Sequence, residues 1–372
     1  MPLEAPVTTA MRSASGAFTT VMRAMVGDRT VNRLSPDCQL SYALPTHPVD
    51  APSFHMRTRT MSRLLSAVAM VFGGAVVLGG LTAPVAGADT DPGQSDSGRS
   101  LVVMGDSNTA NATLATMQAQ PTGVACTHLP TSWPTQLAQR MGLSRNNDVE
   151  DVSCVGAYMW RHGEDHYWTA LTEARQAAAD GAFGPRTKAV LLQFGLNDAW
   201  GADHGAQGAL VPCMLNVLHG CSTDDAASDG NPPTLLTGQD YVDHLRDIVT
   251  YIRYYAPNAR IVLVGYQELH TPGDQAVCMG VLGVPVTIPR AGAITDVFDS
   301  LREAPRAAAA RLGVEYFDTA AVTAGHGLCS PEPWLNGVFT PGPDFLGQPG
   351  HPTLQGDTAV SQALQQFLST PR

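Results

Sequence analysis

Leu101-Val102-Val103-Met104-Gly105-Asp106-Ser107-Asn108 runs from four apolar residues straight into a Gly-Asp-Ser turn. An apolar run closed by turn residues reads as a buried strand. A strand ending this way leaves a hydroxyl at the carboxyl edge of a sheet, where open α/β sheets gather their chemistry. Asp and Ser are also ordinary turn and helix N-cap residues, so the tetrapeptide alone says little. Three more blocks in ordered positions change its weight. Phe194-Gly195-Leu196-Asn197-Asp198 closes a second apolar run, Ala189-Val190-Leu191-Leu192-Gln193. Cys154-Val155-Gly156-Ala157 follows a shorter candidate strand at 149–152, and His351-Pro352-Thr353 precedes a helix-like segment at 354–368.

Ser, Gly, Asn and His in that order, three of them at strand ends, resemble the SGNH (GDSL-type) hydrolases, and in particular their secreted actinobacterial members. The resemblance covers residues 99–369. It implies a three-layer α/β/α fold with a mostly parallel, flavodoxin-like sheet, and esterase or lipase activity. It also implies Ser107 as nucleophile and His351 as base, with the Ser107 amide, the Gly156 amide and the Asn197 side-chain amide as oxyanion donors.

The chemistry asks for these residue types in its own right. A serine hydroxyl is a poor nucleophile at neutral pH and needs an adjacent base. Attack on an ester carbonyl places negative charge on oxygen, and each prearranged donor that meets it is worth roughly 3–4 kcal/mol of barrier. Gly156 suits a place where backbone must approach substrate closely. A histidine base of ordinary pKa would give activity that rises through about pH 6–7. Taken singly, the same residues read as a loop glycine, a turn asparagine and a surface histidine.

Two positions depart from the family pattern. The family places Asp three residues before the catalytic His, where this chain has Gln348, which carries no carboxylate. Some secreted actinobacterial relatives use a backbone carbonyl there, so a Ser107–His351 dyad oriented by the Gln348 carbonyl is the favoured expectation. Asp344 is the alternative acid. The family's glycine after the nucleophile turn is also replaced, by Asn108-Thr109-Ala110-Asn111.

Upstream, the basic head Met56-Arg57-Thr58-Arg59-Thr60-Met61-Ser62-Arg63 leads into an apolar run at 64–81 and then Pro84-Val85-Ala86-Gly87-Ala88. This order reads as a secretory signal peptide at 56–88, cleaved after Ala88, with a membrane anchor as the competing reading. Residues 1–55 precede it as an extension that is not native to the folded protein, best explained by a start codon at Met56 or Met61. Residues 89–99 are a polar linker, and 100–372 form the hydrolase domain, long enough for one α/β domain. Residues 1–88 hold seven Arg against four acids, so removing that +3 from the chain's net −11 leaves −14. Such an acidic chain argues against nucleic acid or anionic membranes as partners. An ester substrate and a monomer are expected, with no cofactor and no metal.

Six of the seven cysteines follow Ala88, an even number that reads as disulfides in an exported chain. The resemblance implies sequential pairing: Cys126–Cys154, Cys213–Cys221 and Cys278–Cys329. No C-x-x-C pair points to zinc.

Further apolar runs at 260–265 and 314–317 alternate with helical patterns at 133–141, 167–179, 241–255, 294–312 and 354–368. That alternation predicts a parallel sheet with helices on both faces. Residues 201–238 and 268–290 read as long loops suited to substrate. Trp200, Trp334, Phe339 and Phe345 are candidates to line an acyl pocket; His128, His162, His204, His270 and His326 follow no motif. The leading reading is a secreted serine esterase or lipase. An envelope acyltransferase or carbohydrate deacetylase would use the same site, and a catalytically silent envelope-binding protein is the reading from another class.

Overall fold

Strands that read as unbroken apolar runs need cover on both faces, and the computed structural model gives them that cover. It describes residues 97–113, 126–160, 168–198, 216, 218–228 and 235–371. Within them the strands are β1 (Leu101–Gly105), β2 (Val149–Asp151), β3 (Ala189–Gln193), β4 (Arg260–Val264), β5 (Val277–Val281), β6 (Val284–Ile288) and β7 (Glu315–Phe317). The helices are α1 (Ser107–Ala110), α2 (Trp133–Arg140), α3 (Ala170–Ala179), α4 (Thr223–Ser228), α5 (Gly238–Tyr255), α6 (Gly292–Leu312), α7 (Thr319–Val322) and α8 (Leu354–Ser369). The signal-like segment, the extension before it and most of the linker lie outside the described residues.

The main sheet has the order β2-β1-β3-β4-β7, every pair parallel. Alternate side chains go to opposite faces. Val102, Met104, Val190, Leu192, Ile261 and Leu263 pack with Ala174 of α3, Leu245 of α5 and Ile294 and Leu301 of α6. Leu101, Val103, Leu191, Val262 and Val264 pack instead with Trp133 and Leu137 of α2 and Val360 and Leu364 of α8. Each fully buried Leu or Val contributes roughly 1.5–3 kcal/mol, which is why these strands carry no polar alternation. The result is a three-layer α/β/α fold.

Local chemistry fixes where the helices begin. Thr169 and Thr237 cap α3 and α5 in reciprocal capping boxes with Thr172 and Asp240, and Thr353 caps α8 through the Gly356 amide. Each such cap is worth about 1 kcal/mol. Gly313, at φ +64°, ends α6.

Two expected loops hold more structure than the sequence announced. Residues 268–290 contain the antiparallel hairpin β5–β6, turned by Leu282 and Gly283. Their Leu-Gly turn lacks the Asn-Gly or Asp-Gly signature that normally marks a two-residue hairpin. Residues 201–238 include α4 and the first residue of α5, and the rest of that stretch lies largely outside the described residues.

β1 pairs with β2 on one side and β3 on the other, so the chain's direction of travel across the sheet reverses between β1 and β3. That reversal opens a crevice at the strands' carboxyl ends. Gly195, just past β3, has φ +128°, and a Cβ there would stand 2.1 Å from the Tyr241 hydroxyl. Gly195→Ala is therefore expected to cost at least about 2 kcal/mol, from overpacking added to backbone strain. Urea unfolding measures it; a loss below about 0.5 kcal/mol would show that Tyr241 moves aside freely.

Candidate active site

Ser107 leaves the end of β1 as the first residue of α1, and Asn197 leaves the end of the neighbouring β3. His351 arrives from the far end of the chain, just ahead of α8. Ser107 and His351 meet there. His351 Nε2 lies 2.7 Å from Ser107 Oγ, and Nδ1 lies 3.0 Å from the Pro349 carbonyl oxygen. A carbonyl only accepts, so Nδ1 carries the proton and Nε2 presents its lone pair to the serine hydroxyl.

The orienting carbonyl is thus that of Pro349, one residue away from the one expected. The Gln348 carbonyl accepts the His351 backbone amide at 3.1 Å instead, and the Gln348 side chain donates to the Ala112 carbonyl at 2.6 Å. Gly350, at φ +76°, turns the chain between them and brings the Pro349 carbonyl under the ring. Asp344 does not serve as the acid: its carboxylate accepts the Leu354 amide at 2.9 Å, ahead of α8. Among the described residues no carboxylate touches the ring. Burial accordingly pulls the His351 pKa down to about 4, with the Pro349 carbonyl opposing.

The candidate oxyanion donors Gly156 and Asn197 lie on turns that are bonded to one another. Gly156 has φ +77°, is exposed, and a Cβ built on it would meet nothing within 4 Å, so its amide borders open space. Among the described residues the Ser107 and Gly156 amides have no acceptor. Asn197 Nδ2 donates to the Ala157 carbonyl at 2.8 Å, which fixes the side chain against the Gly156 loop. Cys154, two residues before Gly156, is disulfide-bonded to Cys126, and Cys278 is bonded to Cys329. Cys221 is also disulfide-bonded, while Cys213 lies outside the described residues.

Three buried acids that the sequence did not single out hold these turns. Asp106, fully buried, accepts the Asn108 amide at 2.9 Å and the Tyr266 hydroxyl at 2.5 Å. Tyr266 Oη in turn accepts the Leu196 amide at 3.0 Å, so one hydroxyl ties the serine turn to the asparagine turn. Glu173 of α3 accepts the Gly105 amide at 2.8 Å, and Asp198 accepts the Met159 and Trp160 amides at 2.8 and 2.9 Å. Burial pushes Asp106 up to about 7 and Asp198 up to about 6, and holds Glu173 well above the usual carboxylate range. An acid before a serine and an acid after an asparagine are visible in the sequence; their partners are not.

The other sequence candidates make contacts of their own. Trp334 stacks on His326 at 3.5 Å, and Phe339 stacks on Phe345 at 5.3 Å. His128 meets the Ser153 carbonyl and His270 faces Asp299. Trp200, His162 and His204 lie outside the described residues. A cleft of about 570 Å³ lined by Ser100, Pro185, Lys188 and Arg260 sits at the amino-terminal edge of the sheet, away from Ser107.

Residues 103–359 match the model of the GDSL-like lipase/acylhydrolase family. The chain belongs to this family. It is a carboxylic ester hydrolase. Lipase 1 of Streptomyces coelicolor is 27% identical over 223 residues, 58% of this chain and 76% of that protein. A lipase of Streptomyces rimosus is 27% identical over 172 residues, 46% of this chain and 57% of the relative. Among solved structures, phospholipase A1 from Streptomyces albidoflavus aligns with TM-score 0.48 and 22% identity, covering 72% of this chain and 98% of the other. In this family member, Tyr266→Phe should cost about 1–3 kcal/mol by leaving the Leu196 amide and Asp106 without their shared partner. It should also lower kcat more than it raises KM. Urea unfolding and ester kinetics measure both, and a Tyr266→Phe enzyme of unchanged stability and kcat would mean that the bridge holds nothing.

Proposed function

We propose that the protein is an exported serine esterase or lipase that cleaves carboxylic esters through an acyl-enzyme on Ser107, with His351 as base. The 2.7 Å contact between Ser107 Oγ and a His351 ring whose other nitrogen faces the Pro349 carbonyl is what supports the reading. Ser107 Oγ attacks the ester carbonyl carbon while Nε2 takes its proton, and the carbonyl oxygen becomes an oxyanion met by the Ser107 and Gly156 amides and the Asn197 amide group. The intermediate collapses, the C–O bond to the alcohol breaks, and the imidazolium returns its proton to the leaving alkoxide. A water then gives its proton to Nε2, attacks the acyl carbon and releases the acid, restoring Ser107.

Export rests on the 56–88 segment and on disulfides in the following domain. Among the described residues no helix is long and apolar enough to cross a membrane. The reading as a silent binding protein drew only on the missing acid. A carbonyl facing Nδ1 orients the ring without one.

Ser107→Ala and His351→Ala should each abolish hydrolysis of a p-nitrophenyl ester, whereas Asp344→Ala should keep it within a few-fold. Asn197→Ala should lower kcat by roughly 10²–10³ with little change in KM. An active Ser107→Ala enzyme, or a dead but folded Asp344→Ala enzyme, overturns the assignment.

The pH profile follows from the base. His351 works only when unprotonated, and burial draws its pKa from 6.5 down to about 4. The acid limb of kcat/KM should therefore rise through about pH 4 and be flat by pH 6, below the limb expected of an unperturbed histidine. A limb centred at pH 6–7 would mean that the ring is solvated or paired with a carboxylate in the working enzyme.

A further inference from the structure

We propose that Trp160 is the wall of the acyl subsite, so that its indole sets the preference for acyl length while the alcohol leaves on the side of His351. The inference rests on the proposed ester cleavage at Ser107, with Gly156 and Asn197 as oxyanion donors. It adds which side of the site takes which half of the ester.

Trp160 lies on the turn that carries Gly156 and is fastened to the turn that carries Asn197. Asn197 Nδ2 donates to the Ala157 carbonyl at 2.8 Å, and the Met159 and Trp160 amides donate to the Asp198 carboxylate at 2.8 and 2.9 Å. These bonds join 157–160 to 197–198 and place the Trp160 backbone beside both candidate donors. Ala157 and Met159 are buried, whereas Trp160 is 44% exposed. Its indole meets the His244 ring of α5 edge-on, with centroids 5.1 Å apart, and His244 Nδ1 donates to the Asp240 carbonyl at 2.6 Å. An exposed indole held at both backbone and ring loses little freedom when a ligand covers it.

Stereochemistry decides which half of the ester meets that indole. The tetrahedral carbon carries Ser107 Oγ, the oxyanion, the alcohol oxygen and the acyl chain. Oγ and the alcohol oxygen both exchange a proton with His351 Nε2, so the alcohol lies on the histidine side. The oxyanion takes the direction of its donors. The acyl chain is left with the direction away from His351.

The sheet gives those directions a place. The strap that carries His351 runs into α8, which packs with α2 on one face. Ala157 and Met159 pack with α5 on the other face. Trp334 belongs to the histidine side, since its carbonyl accepts the Thr353 amide at 2.9 Å. Trp160 belongs to the acyl side. The buried Asp198 carboxylate is turned onto two backbone amides, so what this turn offers a ligand is the indole. Each methylene that such a wall covers is worth about fourfold in binding, and the single methyl of an acetyl group offers it little.

The test is hydrolysis of dissolved p-nitrophenyl acetate, butyrate and hexanoate by the full chain and its Trp160→Ala and Trp160→Phe variants. In the parent enzyme kcat/KM should rise from acetate to hexanoate. Trp160→Ala should flatten that rise, lowering hexanoate about tenfold or more and acetate less than about threefold, and Trp160→Phe should restore most of it. Melting temperatures should stay near that of the parent, because the side chain is half exposed. An equal fall for acetate and hexanoate overturns the proposal, since Trp160 would then only steady the Gly156 turn. Unchanged hexanoate hydrolysis overturns it as well. So does a loss that grows across methyl, butyl and hexyl acetate, which would put the alcohol at Trp160. If Ser107→Ala still cleaves these esters, the catalytic reading fails instead, whatever Trp160 does.

Discussion

The Tyr266 hydroxyl holds the two halves of the site in one register. It donates to Asp106 at the end of β1 and accepts the Leu196 amide at the end of β3. The two strands are adjacent and parallel, so their carboxyl-end turns must be brought together without a ladder to pair them. A phenol is suited to this, since one oxygen can donate to a carboxylate and accept from an amide at once. Gln193 assists from the same strand end, accepting the Thr109 hydroxyl at 2.7 Å and donating to the Gly265 carbonyl at 2.7 Å.

Buried carboxyl groups recur around this bridge as clamps for backbone amides. Glu173 holds the Gly105 amide, Asp106 the Asn108 amide, and Asp198 two amides beyond Gly156. Turns at a sheet edge expose amides that no strand partner can reach, and a side-chain acceptor left out would cost roughly 1–3 kcal/mol for each. Burial raises the proton affinity of all three acids.

His351 is held by backbone where an acid is absent. The Asn336 amide donates to the His351 carbonyl, and Asn111 at the end of α1 donates to the Pro352 carbonyl at 3.0 Å and to Asp357 at 2.6 Å. The helix that carries Ser107 is thereby tied to the histidine strap. A neutral carbonyl orients the ring but stabilises the imidazolium less than a carboxylate, because bonds to ionised groups are about twice as strong. Burial lowers the His351 pKa, and the Pro349 carbonyl offsets only part of that shift.

The sequence by itself determined the sheet and put forward the candidate residues. β1, β3 and β4 were legible because parallel strands covered on both faces must be apolar throughout, and α5, α6 and α8 because their apolar positions recur with helical period. Ser107, Gly156, Asn197 and His351 stood out as candidates because ester cleavage calls for few residue types, and Ser107 and His351 are in contact. Tertiary structure alone decided the contacts between them. The Pro349 carbonyl, not the Gln348 one, meets the ring because Gly350 takes a positive φ, a conformation that one-dimensional spacing does not record. The β5–β6 hairpin was hidden because Leu stands where its turn favours Asn. Tyr266, Glu173 and Asn336 were hidden for a simpler reason. Each bonds a residue at least 15 positions away, and a hydrogen bond between distant residues leaves no pattern in a single chain's sequence.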